Sequence, residues 1–360
     1  MAYTTIDDPS EYFTTTLYVG NQTDRSITNS ANAGNFQPDW LWIKVRNNGN
    51  NHRMFDSSRG HAEDLKPNLT EGGEASSDRC TGFDANGFSL GDNAEVNSNT
   101  HNIVAWQWKV NGGTTTTNDA SSTGVGNIDS VIQANQTAGI SMVTYTGTDT
   151  AGETFAHGLG SIPDMVIIKR RGADGDAWAV QLATLLGNTN ALRLNENAVY
   201  GGGNGVGFWN DTSPTSTVMS LGDRAEINSA STNTYMAYFF KSIQGYSKVG
   251  KYEGNGNDSG PVVYLGFKPA WVMIKCIDTT QHWNIPVFTT KANGAMTTLS
   301  PNLANSERNM DDNPAVDFLS NGFKIRTSDS NYNDSGDTFI YLAFAERPFV
   351  TSEGVPTVAR

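Results

Sequence analysis

Pro38-Asp39-Trp40-Leu41-Trp42-Ile43-Lys44, Pro163-Asp164-Met165-Val166-Ile167-Ile168-Lys169 and Pro269-Ala270-Trp271-Val272-Met273-Ile274-Lys275 are three versions of one phrase. In each, proline precedes lysine by six positions and the residues between are almost all apolar. Successive side chains of a strand point to opposite faces. One face then carries Leu41, Ile43 and Val45, or Val166 and Ile168, or Val272, Ile274 and Cys276. The other carries Trp40 and Trp42, Met165 and Ile167, or Trp271 and Met273, and ends in the lysine. A strand apolar on both faces is a central strand covered on both sides.

Other landmarks keep step with the phrase. Tyr18-Val19-Gly20, Tyr145-Thr146-Gly147 and Tyr252-Glu253-Gly254 open the copies. Leu65 to Asn68, Leu192 to Asn195 and Leu299 to Asn302 stand in their middles, and Asn86-Gly87-Phe88 matches Asn321-Gly322-Phe323. Val104-Ala105-Trp106, Met236-Ala237-Tyr238 and Leu342-Ala343-Phe344 close them, with an offset of 106 from Ala237 to Ala343 that equals the offset from Pro163 to Pro269. The spacing predicts an all-β chain with little helix: three tandem β-sandwich-like repeats of about 105 residues, at 15–110, 139–245 and 246–349. An N-terminal anchoring segment (1–14), a Gly/Thr/Asn-rich linker (111–138) and a C-terminal tail (350–360) complete the expected organisation.

Composition narrows the function classes. The 360 residues carry a formal charge of −13, which argues against nucleic acid and anionic membrane as partners. With 37% hydrophobic and 10% aromatic residues the chain is too apolar to be disordered, and no run is long enough to insert in a membrane. No Sec-type signal is expected at Met1–Asp8. Two cysteines, Cys80 and Cys276, exclude a disulfide framework, and Cys276 reads as a buried thiol.

Chemistry-bearing motifs are few. Gly245-Tyr246-Ser247-Lys248-Val249-Gly250-Lys251 fits a P-loop until its last position, where Tyr252 replaces the hydroxyl residue that magnesium needs. Gly201 to Gly207 reads as a loop tip. Asp329, Asn331 and Asn333 imitate the start of a calcium loop, but Asp334 and Ile340 stand where glycine and glutamate belong, leaving a solvated turn as the preferred reading. The histidines His52, His61, His101, His157 and His282 are scattered, with no metal spacing, and His157 reads as a turn or strand-end residue. Trp178 and Trp283 fall at matching places, which favours packing; Trp209 has no counterpart and reads as core before stacking platform. The repeated lysines Lys44, Lys169 and Lys275 suggest a strand-end side chain that snorkels or a rim ion pair. No catalytic, cofactor or metal residue is assigned, and the ligand-binding residues are left open.

Several stretches are similar to a family of virion proteins common in phages of marine bacteria. They are Ile6-Asp7-Asp8-Pro9-Ser10-Glu11-Tyr12-Phe13, Trp108 to Thr114 leading through Val131–Asn135 to Tyr145, Trp209 to Val218, Phe318 to Phe323, Ala343 to Phe349, and Gly354 to Arg360. The resemblance spans essentially the whole chain and brings no catalytic residues. It implies a virion structural protein assembled in the host cytoplasm: a tail-fibre or adhesin component that binds a host surface glycan without catalysis. The implied partners are other virion proteins and further copies of itself, with a trimer preferred. A capsid decoration or head-fibre protein is the alternative, and a particle-borne glycan-cleaving enzyme comes third.

Overall fold

The computed structural model describes residues 2–29, 34–172, 176–201, 207–230, 232–287, 297–309 and 315–357. The fold is all-β, built of antiparallel sheets with only short helices. Each of the three Pro-to-Lys phrases is a buried strand, Trp40–Val45, Met165–Arg170 or Phe267–Cys276. It pairs with the closing strand of its own repeat (Asn102–Trp108, Thr234–Phe240 or Thr338–Pro348), which pairs in turn with the opening strand (Phe13–Val19, Ile140–Thr146 or Ser247–Glu253). A smaller sheet covers one face of each, such as Arg25–Thr28 with Gly87–Leu90 and Cys80–Asp84 in the first repeat. Three separate sandwich cores result, with Leu41, Ile43 and Phe88 in the first, Val166, Ile168 and Phe155 in the second, and Val272, Ile274 and Phe323 in the third.

The opposite faces of the three large sheets form a fourth core common to all repeats. Trp40, Trp42, Trp106 and Trp108 meet Met165, Ile167, Tyr238 and Phe240 there, along with Trp271, Met273, Leu342 and Phe344. Aromatic contacts bridge every pair of repeats: Trp40 to Tyr238 at 5.0 Å, Trp108 to Trp271 at 5.6 Å and Phe240 to Phe344 at 6.2 Å between centroids. Burial on both faces of the phrase thus has two causes, a sandwich within the repeat and a hub between repeats.

Hydrogen bonds across the seams show a closed pseudo-threefold ring. The amide of Gly73 donates to Arg171 O (2.6 Å), Tyr200 to Ile277 O (2.8 Å) and Glu307 to Arg46 O (2.6 Å), running from repeat one to two, two to three and three to one. A second ring lies beside it. Trp178 Nε1 donates to Lys66 O at 3.1 Å, Trp283 Nε1 to Arg193 O at 2.9 Å, and His52 Nε2 faces Ser300 O at 3.1 Å. The three donors are true counterparts, because each backbone amide is held by the side-chain oxygen of Asn68, Asn195 or Asn302.

The structure revises four expectations. The segment 111–138 carries two strands, Thr116–Asn118 and Ser130–Asn135, laid on the free edge of Ile140–Thr146; its alternating Val131 and Gln133 fit a ladder as well as a linker. The N-terminal segment packs where repeats two and three meet the C-terminal tail: Ile6 enters the common core, Thr4 Oγ1 donates to Gln244 O (2.7 Å), the Tyr3 hydroxyl donates to Gly266 O (2.8 Å), and Asp7 accepts from Ser352. The closing strands superpose Ala105 and Ala237 on Tyr341, not Ala343, since these residues pair with Ile43, Ile168 and Ile274. A two-residue slip keeps every side chain on its face, so hydrophobic pattern alone does not detect it. The lysines do not snorkel. Lys44, Lys169 and Lys275 are wholly buried and donate to backbone carbonyls, Lys169 to Thr70 O across one seam and Lys275 to Asn197 O across the next.

Candidate functional site

The repeats differ most at one end of the sandwich, beside the short helix that precedes the closing strand. That helix is anchored identically in all three, by Asn97, Asn228 and Asn333. Each buried amide accepts from a backbone N–H (Asn21, Thr148, Asn255) and donates to two carbonyls, those of Thr23 and Gly91, Thr150 and Gly222, or Asn257 and Thr327. The opening tyrosines Tyr18, Tyr145 and Tyr252 donate their hydroxyls to the same helices, at Val96, Ile227 and Tyr332 O. Gly20, Gly147 and Gly254 follow because a Cβ there would lie within about 2 Å of a backbone oxygen (2.0, 2.2 and 2.1 Å).

In the first repeat this end is filled by ions. Arg53 and Arg79 both hold Asp64, at 2.9 and 3.0 Å, and both hold Glu95; Arg79 also reaches Glu74 at 3.0 Å. Burial pushes the Asp64 carboxyl up, against the pull of the two guanidiniums. A network this dry persists because its members satisfy one another. In the second repeat, Ala179, Ala191 and Phe208 replace Arg53, Asp64 and Arg79, and the space is filled with carbon. Phe208 and Trp209 are fully buried, Trp209 Nε1 donates to Asn190 O (2.9 Å), and Arg224 stacks 5.0 Å from the Phe208 ring.

In the third repeat the same positions are Asn284, Thr298 and Ala315, and Glu95 becomes Asn331. Among the described residues these short side chains do not fill the end, and a cleft of about 580 Å³ remains. Gly49 of the first repeat also lines it, so the cleft sits on the seam between repeats three and one. Its charged walls are compensated: Glu307 is held by both ends of the Arg46 guanidinium, and Arg308 stands 3.7 Å from Asp329. His282 supplies a defined imidazole. Asn302 accepts from Trp283 N through Oδ1, so its Nδ2 donates to His282 Nδ1 (2.8 Å) and the ring proton sits on Nε2. Burial, with Lys275 and Arg308 nearby, lowers this histidine's pKa and favours its neutral form.

The motif residues singled out in the sequence take other places. Among the described residues no group of three or more His, Cys, Asp or Glu could hold a metal ion. Asp329 caps the helix Ser330–Asn333 through Asn331 N, and Asn333 is its buried anchor, which accounts for the calcium-like spacing. Residues 247–251 of the P-loop-like stretch lie in the strand Ser247–Glu253, and residues 202–206 of the glycine-rich stretch lie outside the described residues. His157 is buried, accepting from Leu159 N and facing Thr215 O. Cys80 and Cys276 are buried free thiols. The sequence singles out His282 and Asn331 for other reasons and does not single out Asn284 and Thr298; the signal was the contrast among aligned copies, Arg53, Asp64 and Glu95 against Asn284, Thr298 and Asn331.

Residues 8–348 match the family model described as a domain of unknown function, DUF7483, and the chain belongs to that family. No curated protein and no solved structure matches it. No helix among the described residues is long and apolar enough to cross a membrane.

Proposed function

We propose that this chain is a phage virion protein that acts by binding, as a tail-fibre or adhesin component directed at a host surface glycan, without catalysis. The observation that carries the binding reading is the third-repeat cleft. One position on a threefold scaffold is filled with ions, once with aromatics, and once left open and polar. A scaffold that spends two copies on rigidity and opens the third suits recognition by a preformed site. The resemblance of Ile6–Phe13, Trp209–Val218 and Gly354–Arg360 to phage virion proteins supports the particle setting. Many copies on one particle would turn weak single-site affinity into avidity.

Immunogold labelling of intact particles tests the setting, and competition of host adsorption by the free protein tests the activity. Gold on the tail with loss of adsorption is the expected result. Gold spread over the head with unchanged adsorption would replace the adhesin reading with capsid decoration, and reducing-sugar release from host polysaccharide would replace it with an enzyme.

A further inference from the structure

We infer that the third-repeat cleft is a saccharide site whose ligand is an uncharged sugar ring, an assignment that rests on the binding reading above and refines it. The volume, about 580 Å³, falls in the range of small-molecule pockets, roughly 300–1,000 Å³. Its chemistry follows from what the other repeats place there. In the first repeat two guanidiniums are matched by three carboxylates. In the third, Arg53 has become Asn284, and the carboxylates Asp64 and Glu95 have become Thr298 and Asn331. Two charges of each sign are lost, and Glu74 is replaced by Arg308, which pairs with Thr298 where Glu74 pairs with Asp64. The charged groups that remain already have partners, Glu307 in Arg46 and Arg308 in Asp329, so an entering ion would have to compete for them.

The groups left for a ligand are neutral and mixed in polarity. His282 Nε2–H is a donor fixed in its tautomer by Asn302. Asn284 donates through Nδ2 to His282 O (2.8 Å), which fixes the amide's orientation and leaves its Oδ1 as the acceptor. Ser300 and Ser306 add hydroxyls. A donor set beside an acceptor set suits vicinal hydroxyls, each of which both gives and takes a hydrogen bond. A purely anionic or cationic ligand would use only half of it.

The test is titration of the full chain with glucose, galactose, mannose, N-acetylglucosamine and glucuronate, read by calorimetry and ligand-observed NMR. The comparison variant restores the first repeat's plug, Asn284→Arg with Thr298→Asp and Asn331→Glu. His282→Ala serves as the second variant should the plug prevent folding. The expected result is binding of at least one neutral sugar, weakened tenfold or more by either variant, with glucuronate weaker than its neutral counterpart. Binding of glucuronate alone, equal binding by the folded variants, or no binding of any sugar overturns the assignment. Adsorption competition separates this failure from that of the adhesin reading. Free protein that blocks adsorption while no sugar binds places recognition elsewhere on the chain.

Discussion

His52 Nε2 lies 3.1 Å from the carbonyl oxygen of Ser300, in the place where the other two seams use an indole N–H. The substitution changes what the seam between repeats one and three responds to. Trp42 Nε1 donates to His52 Nδ1 at 2.9 Å, so the neutral ring accepts on one nitrogen and donates from the other. Protonation of Nδ1 would set two donors against each other, and an indole in this position has no such state.

Acid should therefore destabilise the protein through this seam. Burial and the neighbouring Lys44 hold the His52 pKa well below 6.5, and burial takes His157 to about 4. A histidine whose folded pKa is depressed takes up protons more readily in the unfolded chain, so stability falls as pH drops below 6.5. Urea midpoints between pH 7 and 4 should decline. His52→Gln, which can still accept from Trp42 and donate to Ser300, should flatten the part of the decline that His52 causes. A variant with the wild-type slope would remove His52 from the account.

Alkali should first do the opposite. Lys44 and Lys275 are buried against backbone carbonyls, and desolvation lowers each to about 8. Between pH 8 and the ordinary lysine value near 10.5 the unfolded chain holds more protons, so stability rises with pH across that window. Buried tyrosines such as Tyr145 and Tyr252, raised by desolvation, reverse the trend above about pH 10, where unfolded tyrosine ionises. Thermal midpoints should peak between these limits. Lys275→Met should remove part of the rise, and a monotonic fall from pH 8 would contradict the lysine assignment.

How far the sequence led depends on what each feature leaves in it. The phrase from Pro163 to Lys169 is legible because a strand writes its two faces with period two. Tyr145 and Gly147 are legible as landmarks, but their reason, a hydroxyl bond and a close approach to a helix, exists only in space. His52 is hidden as the partner of Trp178 and Trp283 because the three share a hydrogen-bonding role and not a chemistry. The cleft is hidden for another reason: it is made by what Asn284 and Thr298 lack relative to Arg53 and Asp64.

The Gly250–Tyr341 pair offers a packing test of the revised register. A Cβ at Gly250 would lie 2.3 Å from the Tyr341 hydroxyl, whereas the equivalent pairs are Thr16 with Ala105 and Val143 with Ala237. Gly250→Val alone should overpack the third sandwich and cost about 1–3 kcal/mol. Adding Tyr341→Ala, which recreates the second repeat's pair, should recover a large part of that loss. A double-mutant cycle in urea measures the coupling. Additive losses would place Tyr341 out of register with Ala105 and Ala237.

The helix anchors give the last prediction. Asn228 is fully buried; its Oδ1 accepts from Thr148 N at 2.7 Å and its Nδ2 donates to Thr150 O and Gly222 O at 2.9 and 2.8 Å. Asn228→Ala orphans one backbone donor and two backbone acceptors at once. A buried polar group left unpaired costs roughly 1–3 kcal/mol, so the loss should reach about 2–4 kcal/mol after partial relaxation. Asn228→Asp keeps the acceptor and loses the two donors, so it should not restore stability. The damage should show first as faster amide exchange around Ala225–Asn228 and the adjoining strand Thr234–Phe240, with the first and third repeats less affected. Equal loss of protection in all three repeats would mean that the common core binds the ring into one cooperative unit, and that the sandwiches do not open separately.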